Sequence, residues 1–396
     1  MSNTNSNTSI SNTALLGIIL GIIVFIRTMP CYLWSVEDTI RPICAIIVLL
    51  ICLFNISKEK WTFWIWLSLA LAYVWAVAFV DRSGFVTLFN FLAFAFIPIL
   101  RKDLVFATYK TFYRLIVFFL GLSIINYFFV RLGLTFGGTV IEPLNQLKSH
   151  QYVMYWFLVE PYLVSSGRFH GLWDEPGFIG TICGLLLIAE RMNLKKTGNW
   201  IILIGGLLSL SFYFYVALIV GLILFSSRLK HRWLVMVMFF VLFLVSYNNP
   251  YLYDRLWSRF EWNEEEGTLE GDNRNSGSLA SYYESIKGTP AWFTGVGSAV
   301  AKDYSGSASL NLIIVKHGFI FVFLNLLGYA LLSLREIRNK KLWFAFFVFF
   351  VLTLYQRPGF YGTYSIFLYT MVIYMFGSME TDSQSLEKKE ILNYAT

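Results

Sequence analysis

The chain has 396 residues, of which 57% are hydrophobic and only 14% are charged. A soluble domain carries about 25% charged residues, so this composition argues against a soluble protein and predicts an integral membrane protein. The net charge of +7 comes without a basic low-complexity tract and gives no support to nucleic-acid binding. The four cysteines lie in or beside apolar runs without metal-ligand spacing, so no disulfide framework or zinc site is predicted.

Apolar runs recur along the whole chain, and a transmembrane helix needs about 20 such residues. The polar start at 1–13 lacks the basic region of a signal peptide, so the first run is expected to stay as a span. One run, 200–225, is too long for one span and short for two, and we expect a bend near 209–211. The fold class is therefore an all-α polytopic membrane protein of about 11–12 transmembrane segments. The predicted runs are 14–26, 40–56, 61–80, 84–100, 115–130, 176–192, 200–225, 233–247, 310–334, 342–355 and 364–376.

Lysine and arginine are concentrated in the short connections, for example at Lys58, Arg101 and Arg335. Because cytoplasmic loops of membrane proteins are enriched in these residues, both termini and a tail at 378–396 are predicted to be cytoplasmic. The chain is then one multi-pass domain, 1–396. Two long segments, 131–173 and 248–308, lie outside, and loops of this length usually carry function.

The most informative segment is RFHGLWDEPG at 168–177, which leads directly into a predicted span. Its structural explanation is a helix start, in which Asp174 or Glu175 caps amide groups and the following proline suits the first turn. Capping does not account for Arg168 and His170 on the same segment. An arginine at a membrane edge can bind a diphosphate through two parallel hydrogen bonds. Glu175, Asp174 or His170 can supply a general base.

The second long segment ends with TPAWFTGVG at 289–297, after a predicted short helix at 278–286. Gly295 and Gly297 permit close backbone approach and exposed amides, as phosphate cradles do, although a turn before a helix is the commoner explanation. Arg274 lies upstream of this motif and strengthens it as a substrate-binding candidate.

Two further basic residues are weaker candidates for substrate binding. Lys316 lies inside a predicted span, where an ionisable residue faces a cavity or a partner, or else extends to the interface. Arg357 stands in RPG on a short outer loop and either contacts phosphate or belongs to a turn, which is favoured. The sequence contains no nucleotide-binding motif, and no cofactor is predicted.

These motifs, in this order, resemble the O-antigen polymerase (Wzy-type) family, and the second motif is shared with the O-antigen ligase family. The resemblance covers the predicted topology and roughly residues 168–325. No histidine stands near Ser307, where the family pattern often has a His-Asn pair that ligases are thought to use, and this favours a polymerase. The matching positions are Arg168, Asp174, Glu175, Pro176 and Gly177 for the first motif, and Arg274, Pro290, Gly295, Gly297 and Gly318 for the second.

The resemblance implies a GT-C-like fold and a glycosyltransferase of the bacterial inner membrane that uses neither metal nor nucleotide sugar. Its donor is a growing glycan on undecaprenyl diphosphate, its acceptor a lipid-linked repeat unit, and its partners the lipid bilayer and a chain-length regulator protein. Arg168 and Arg274 are expected to hold the diphosphate, with Lys316, Gly295, Gly297 and Arg357 as further binding candidates. The alternatives are an O-antigen ligase that transfers glycan to lipid A core, and a lipid-linked glycan flippase or transporter.

Overall fold

The computed structural model describes residues 4–81, 85–135, 137–143, 151–162, 167–225, 244, 247–250, 253, 261–263, 268–269, 277–304, 309–356 and 358–394. Within these residues the protein is mostly helical. Short 3-10 helices follow α1 and α4, at Cys31–Val36 and Ile97–Ile99. The α-helices are α1 (Thr4–Ile26), α2 (Glu37–Leu53), α3 (Thr62–Val74), α4 (Phe85–Ala95), α5 (Lys102–Arg131), α6 (Pro176–Ala189), α7 (Thr197–Leu208), α8 (Phe212–Phe225), α9 (Gly277–Ile286), α10 (Pro290–Thr294), α11 (Ser298–Ala301), α12 (Leu310–Glu336), α13 (Lys340–Gln356) and α14 (Thr363–Tyr394).

The chain forms two compact units. Unit 1 comprises Met1–Phe119, Phe321–Leu352 and Gly359–Thr396, and unit 2 comprises Leu120–Ile320 and Thr353–Pro358. The predicted cytoplasmic tail begins within α14, which continues as a helix to Tyr394.

Among the described residues, two helices, α5 and α12, are long and apolar enough to cross a membrane. Residues 12–26 and 31–53 pass the same test only as a pair, with a bend of 94° between them. Large apolar side chains on α1, such as Leu15, Ile18 and Ile22, are exposed at helical spacing. Such a stripe suits contact with lipid better than contact with water. The count of 11–12 spans remains a prediction, and most of the predicted run 233–247 lies outside the described residues.

The predicted bend near residues 209–211 is confirmed, because α7 ends at Leu208 and α8 begins at Phe212. Leu210 takes a positive φ of 47° within this break. Helix α6 packs closely against the break, since a Cβ added to Gly180 would lie 2.2 Å from the Cβ of Ser211. The turn is therefore held by tight packing within unit 2.

The first long segment contains a small antiparallel sheet that the sequence did not predict. Its strands are β1 (Thr139–Ile141), β2 (Tyr152–Tyr155) and β3 (Leu158–Pro161), in the order β1-β2-β3. The register pairs Val140 with Val153, and Met154 with Val159. The expectation of an all-α protein is thus correct for the helical bulk but not for this segment.

The second long segment contains β4 (Trp262–Asn263) paired with β5 (Thr268–Leu269), followed by α9. Helix α9 confirms the predicted helix at 278–286. It buries Leu279 and Ile286 against Val315 of α12, so α9 and α12 are held together by an apolar contact within unit 2.

Unit 1 contains a buried ionic network at the end of α12. The Arg335 and Glu336 side chains are 6% and 4% exposed, and Arg335 Nε lies 2.8 Å from Glu336 Oε1. Arg335 Nη2 donates to the Tyr374 hydroxyl at 2.9 Å, and Lys102 Nζ lies 2.9 Å from Glu336 Oε2. The buried charges are therefore balanced and hydrogen-bonded, as buried ion pairs require.

Candidate functional site

The segment that carries the first motif is a fixed part of unit 2. The Val159 amide of β3 donates to the Gly171 carbonyl at 2.8 Å, and the Phe169 amide donates to the Leu208 carbonyl at 3.1 Å. The residues from 169 to 173 are all buried. These contacts hold the motif between the small sheet and the break that separates α7 from α8.

Arg168 binds the backbone of that break. Its Nε donates to the Ser209 carbonyl and its Nη2 to the Leu210 carbonyl, both at 3.1 Å. Carbonyls at a helix C-terminus lack intrahelical partners, so these two bonds stabilise the break. They also fix the orientation of the guanidinium, whose residue keeps partial exposure. The sequence did not indicate this structural contribution.

Tyr152, which the sequence did not single out, contacts both His170 and Asp174. The Tyr152 hydroxyl of β2 donates to the Asp174 carbonyl at 2.7 Å, and its ring meets the His170 ring with centroids 6.2 Å apart. His170 is 3% exposed, whereas Asp174 and Glu175 are half-buried. Of the three candidate bases, the two carboxylates are therefore better placed to meet a substrate.

Glu175 occupies the N-cap of α6, with φ −137° and ψ 127°, but its side chain makes no capping hydrogen bond. Its backbone carbonyl accepts the first helical bond, from the Phe178 amide at 3.1 Å. A negative charge at this end is still favoured by the helix dipole. Side-chain capping therefore does not explain Glu175. Pro176 lies in the first turn of α6, as predicted.

The glycines of the second motif lie where two backbone segments cross. Gly295 and Gly318 have φ of 83° and 85°, and the helical conformation of α12 is interrupted at Gly318. A Cβ on Gly295 would lie 2.6 Å from the Gly318 nitrogen, and a Cβ on Gly318 would lie 2.4 Å from the Phe293 oxygen. Only glycine fits this crossing, and the crossing accounts for both residues without a ligand.

The backbone amides of this motif are used within the protein. The Val296 amide donates to the Val315 carbonyl at 2.8 Å, and the Gly297 amide donates to the Lys316 carbonyl at 3.1 Å. A phosphate could reach these amides only by displacing those bonds. Substrate binding by Gly295 and Gly297 remains a prediction, and the observed geometry favours a role in shaping the site.

Lys316 and His317 stand directly before the interruption of α12 at Gly318. Lys316 is partly exposed and His317 is buried. A cation at this position lies at the C-terminal end of a short helical stretch, where the helix dipole favours positive charge. Next to them, the Trp292 and Phe319 rings stack at a centroid distance of 4.5 Å.

The predicted site residues thus fall into two fixed groups, both in unit 2. The first contains Arg168, His170, Asp174 and Glu175, and the second contains Gly295, Gly297 and Lys316. Arg274 and Arg357 lie outside the described residues. No group of three or more metal-ligating side chains occurs among the residues that the structure describes.

Comparisons with protein-family models, curated proteins and solved structures find no match for this chain. Its function therefore has to be inferred from its own residues and their geometry.

Proposed function

We propose that the chain is a surface-polysaccharide polymerase of the bacterial inner membrane. It would transfer a growing glycan from undecaprenyl diphosphate to a lipid-linked repeat unit at the periplasmic face. Its partners would be the two lipid-linked glycans, the bilayer and a chain-length regulator protein. The proposal combines the motif resemblance with a mostly helical structure whose apolar helices could cross a membrane.

The observation that carries this proposal is the fixed guanidinium of Arg168, a residue that is partly exposed. Two backbone carbonyls hold it in one orientation on a motif that lies beside an apolar helix. The reaction releases a diphosphate, on which negative charge develops as the bond to the sugar breaks. A preorganised cation stabilises such charge without having to reorganise during the reaction.

A carboxylate on the same segment would complete the reaction. Glu175, or Asp174 beside it, takes the proton from an acceptor hydroxyl, whose oxygen then bonds to the anomeric carbon of the donor glycan. The bond from that carbon to the diphosphate breaks with its electron pair, and undecaprenyl diphosphate leaves as the anion. No step requires a metal ion or a nucleotide.

The central test measures glycan ladders from a deletion strain complemented with variants. We expect Arg168→Ala and Glu175→Gln to lose polymer, with a rate at least about a hundredfold lower for the arginine change. Arg168→Lys should recover part of the activity, because lysine keeps the charge but loses the planar fork. Because Arg168 also binds the α7–α8 break, each variant must be compared at equal membrane abundance and melting temperature.

Arg131→Ala is the matched control, because it removes an arginine from the same long segment. Arg131 pairs with Glu160 and lies over the Tyr127 ring, and it is not one of the proposed site residues. It should leave full-length ladders. Full ladders from Arg168→Ala at normal abundance would remove Arg168 from the mechanism. A deletion strain whose lipid A core carries no glycan at all would support the ligase or flippase instead of the polymerase.

The predicted orientation has a separate test in cysteine labelling. The four native cysteines are all buried, so background reaction should be low. In intact spheroplasts, an impermeant thiol reagent should label Lys287→Cys and should spare Lys340→Cys, which lies in a predicted cytoplasmic connection. The reverse pattern would place the motif segments in the cytoplasm and exclude a periplasmic reaction.

A further inference from the structure

A buried arginine at the end of α1 has no role in the proposed reaction. Arg27 follows the last residue of α1, where the chain bends by 94° before Cys31–Leu53. Met29, with φ 55°, and Pro30 stop the helix there. We call residues 27–36 the Arg27 elbow, which belongs to unit 1.

The partners of Arg27 within the protein are weak. The residue is 8% exposed, and its Nε donates to Thr363 Oγ1 at 3.4 Å. The guanidinium lies 5.9 Å from the centre of the Phe94 ring. Among the described residues, its buried Nη1 finds no hydrogen-bond acceptor. Burying a cation without full compensation is costly, so this arrangement suits an anion from outside the chain.

The charged neighbours of the elbow do not supply that partner. Glu37 and Arg41 both act electrostatically on Arg27, but they form a salt bridge with each other. Asp38, which follows Glu37, is exposed and is not among the groups that act on Arg27. Among the described side chains that act on Arg27, Glu37 is the one carboxylate, and it is engaged by Arg41.

We propose that the Arg27 elbow binds a phosphate-type anion, either the head group of a membrane lipid or a soluble phosphate or diphosphate. The guanidinium fork can bind two phosphate oxygens, and the Thr363 hydroxyl can donate a further hydrogen bond while it accepts one from Nε. The weakly compensated charge of the guanidinium suits a group with one or two negative charges.

This inference does not depend on the polymerase proposal, and its test measures binding. Purified full-length protein in detergent is incubated with dioleoyl phosphatidylglycerol or with inorganic pyrophosphate and examined by native mass spectrometry. We expect one of these probes to bind the wild type and Arg27→Met to weaken that binding by roughly tenfold to a hundredfold. Binding of the lipid alone identifies a head-group site, and binding of pyrophosphate identifies a site for the phosphate group itself.

Arg101→Met is the matched control, because Arg101 is an exposed arginine of unit 1 that pairs with Asp103. It should bind the probe as the wild type does. Thr363→Val gives a second variant that keeps the buried charge, and it should weaken binding by less than Arg27→Met. Equal binding by wild type and Arg27→Met would overturn the proposal, as would the absence of binding of both probes to the wild type.

Discussion

Two buried arginines of unit 1 have opposite surroundings. Arg335 is bound by Glu336 and the Tyr374 hydroxyl, with a third charge nearby on Lys102. Arg27 has one long hydrogen bond to Thr363 and the face of an aromatic ring. The partners of Arg335 are all part of the fold, so that arginine serves stability. The surroundings of Arg27 stabilise its charge poorly, which is expected of a residue retained for a ligand.

The largest effect should come from removing the arginine that has good partners. Arg335→Met removes one of the two cations that bind the buried Glu336 and leaves it Lys102, and breaking a buried ion pair costs up to about 3–5 kcal/mol. The measurement is unfolding in detergent, by heat or by a denaturing detergent titration. Arg101→Met, at an exposed pair, should cost only about 0–1 kcal/mol. A loss for Arg335→Met as small as that of the control would remove the distinction between the two regions.

The second effect should have the opposite sign. Without ligand, Arg27→Met replaces a poorly compensated buried charge with an apolar chain of similar length. Such replacements are often neutral or stabilising, by up to about 1–4 kcal/mol. The same unfolding assay, in delipidated protein, measures the change. Destabilisation comparable to that of Arg335→Met would mean that Arg27 is a structural residue.

A matched pair of threonines gives a finer comparison. Thr62 Oγ1 accepts from Arg335 Nη1 at 3.3 Å, as Thr363 Oγ1 accepts from Arg27 Nε at 3.4 Å. Thr62→Val should cost no more than about 1 kcal/mol, because Arg335 keeps its other partners. Thr363→Val should cost more in the wild type and almost nothing in the Arg27→Met background. Double-mutant cycles for both pairs measure this coupling, and equal coupling in the two cycles would contradict the prediction.

The smallest effect concerns Arg131 and Glu160 on the first long segment. This ion pair is more exposed than Arg335 and Glu336, and Arg131 has a carboxylate partner, which Arg27 lacks among the described residues. Burial raises the pKa of Glu160, although Arg131 opposes this shift. Since the folded pKa lies above the usual value of 4.5, the fold gains stability from this residue below that pH and loses it as the pH rises through the raised value. As the pH rises through this range, the melting temperature of the wild type should therefore fall relative to that of Glu160→Gln. A difference that grows in favour of the wild type with rising pH would contradict this.

Local features of the sequence were enough to place most of the helices. The apolar runs predicted α2, α5, α6 and α12 because hydrophobic content and length depend only on neighbouring residues. The break between α7 and α8 was also predicted, because the apolar run is too long for one span and short for two and has basic residues at both ends. Helix α9 was also predicted, as a short helix at 278–286.

Contacts between distant parts of the chain could not be predicted from the sequence. The strands of the small sheet have three or four residues each, and β1 pairs with β2 across an intervening segment, so local periodicity carries little signal. Arg168 binds carbonyls about 40 residues further along the chain, and Gly295 needs to be glycine because Gly318 crosses it. Both contacts depend on the tertiary structure. From the sequence alone, an arginine and a glycine at these positions were equally compatible with a phosphate-binding site.

Arg27 shows most clearly what each level decides. In the sequence it ends an apolar run, where an arginine ordinarily extends to the membrane interface and is solvated there. The sequence alone thus determined that a positive charge stands at the end of the first helix. Only the tertiary structure decided that this charge is enclosed, because the bend after α1, the Phe94 ring of α4 and Thr363 of α14 surround it from distant parts of the chain. Burial depends on what packs around a residue, and it turns an ordinary arginine into one that needs an anion.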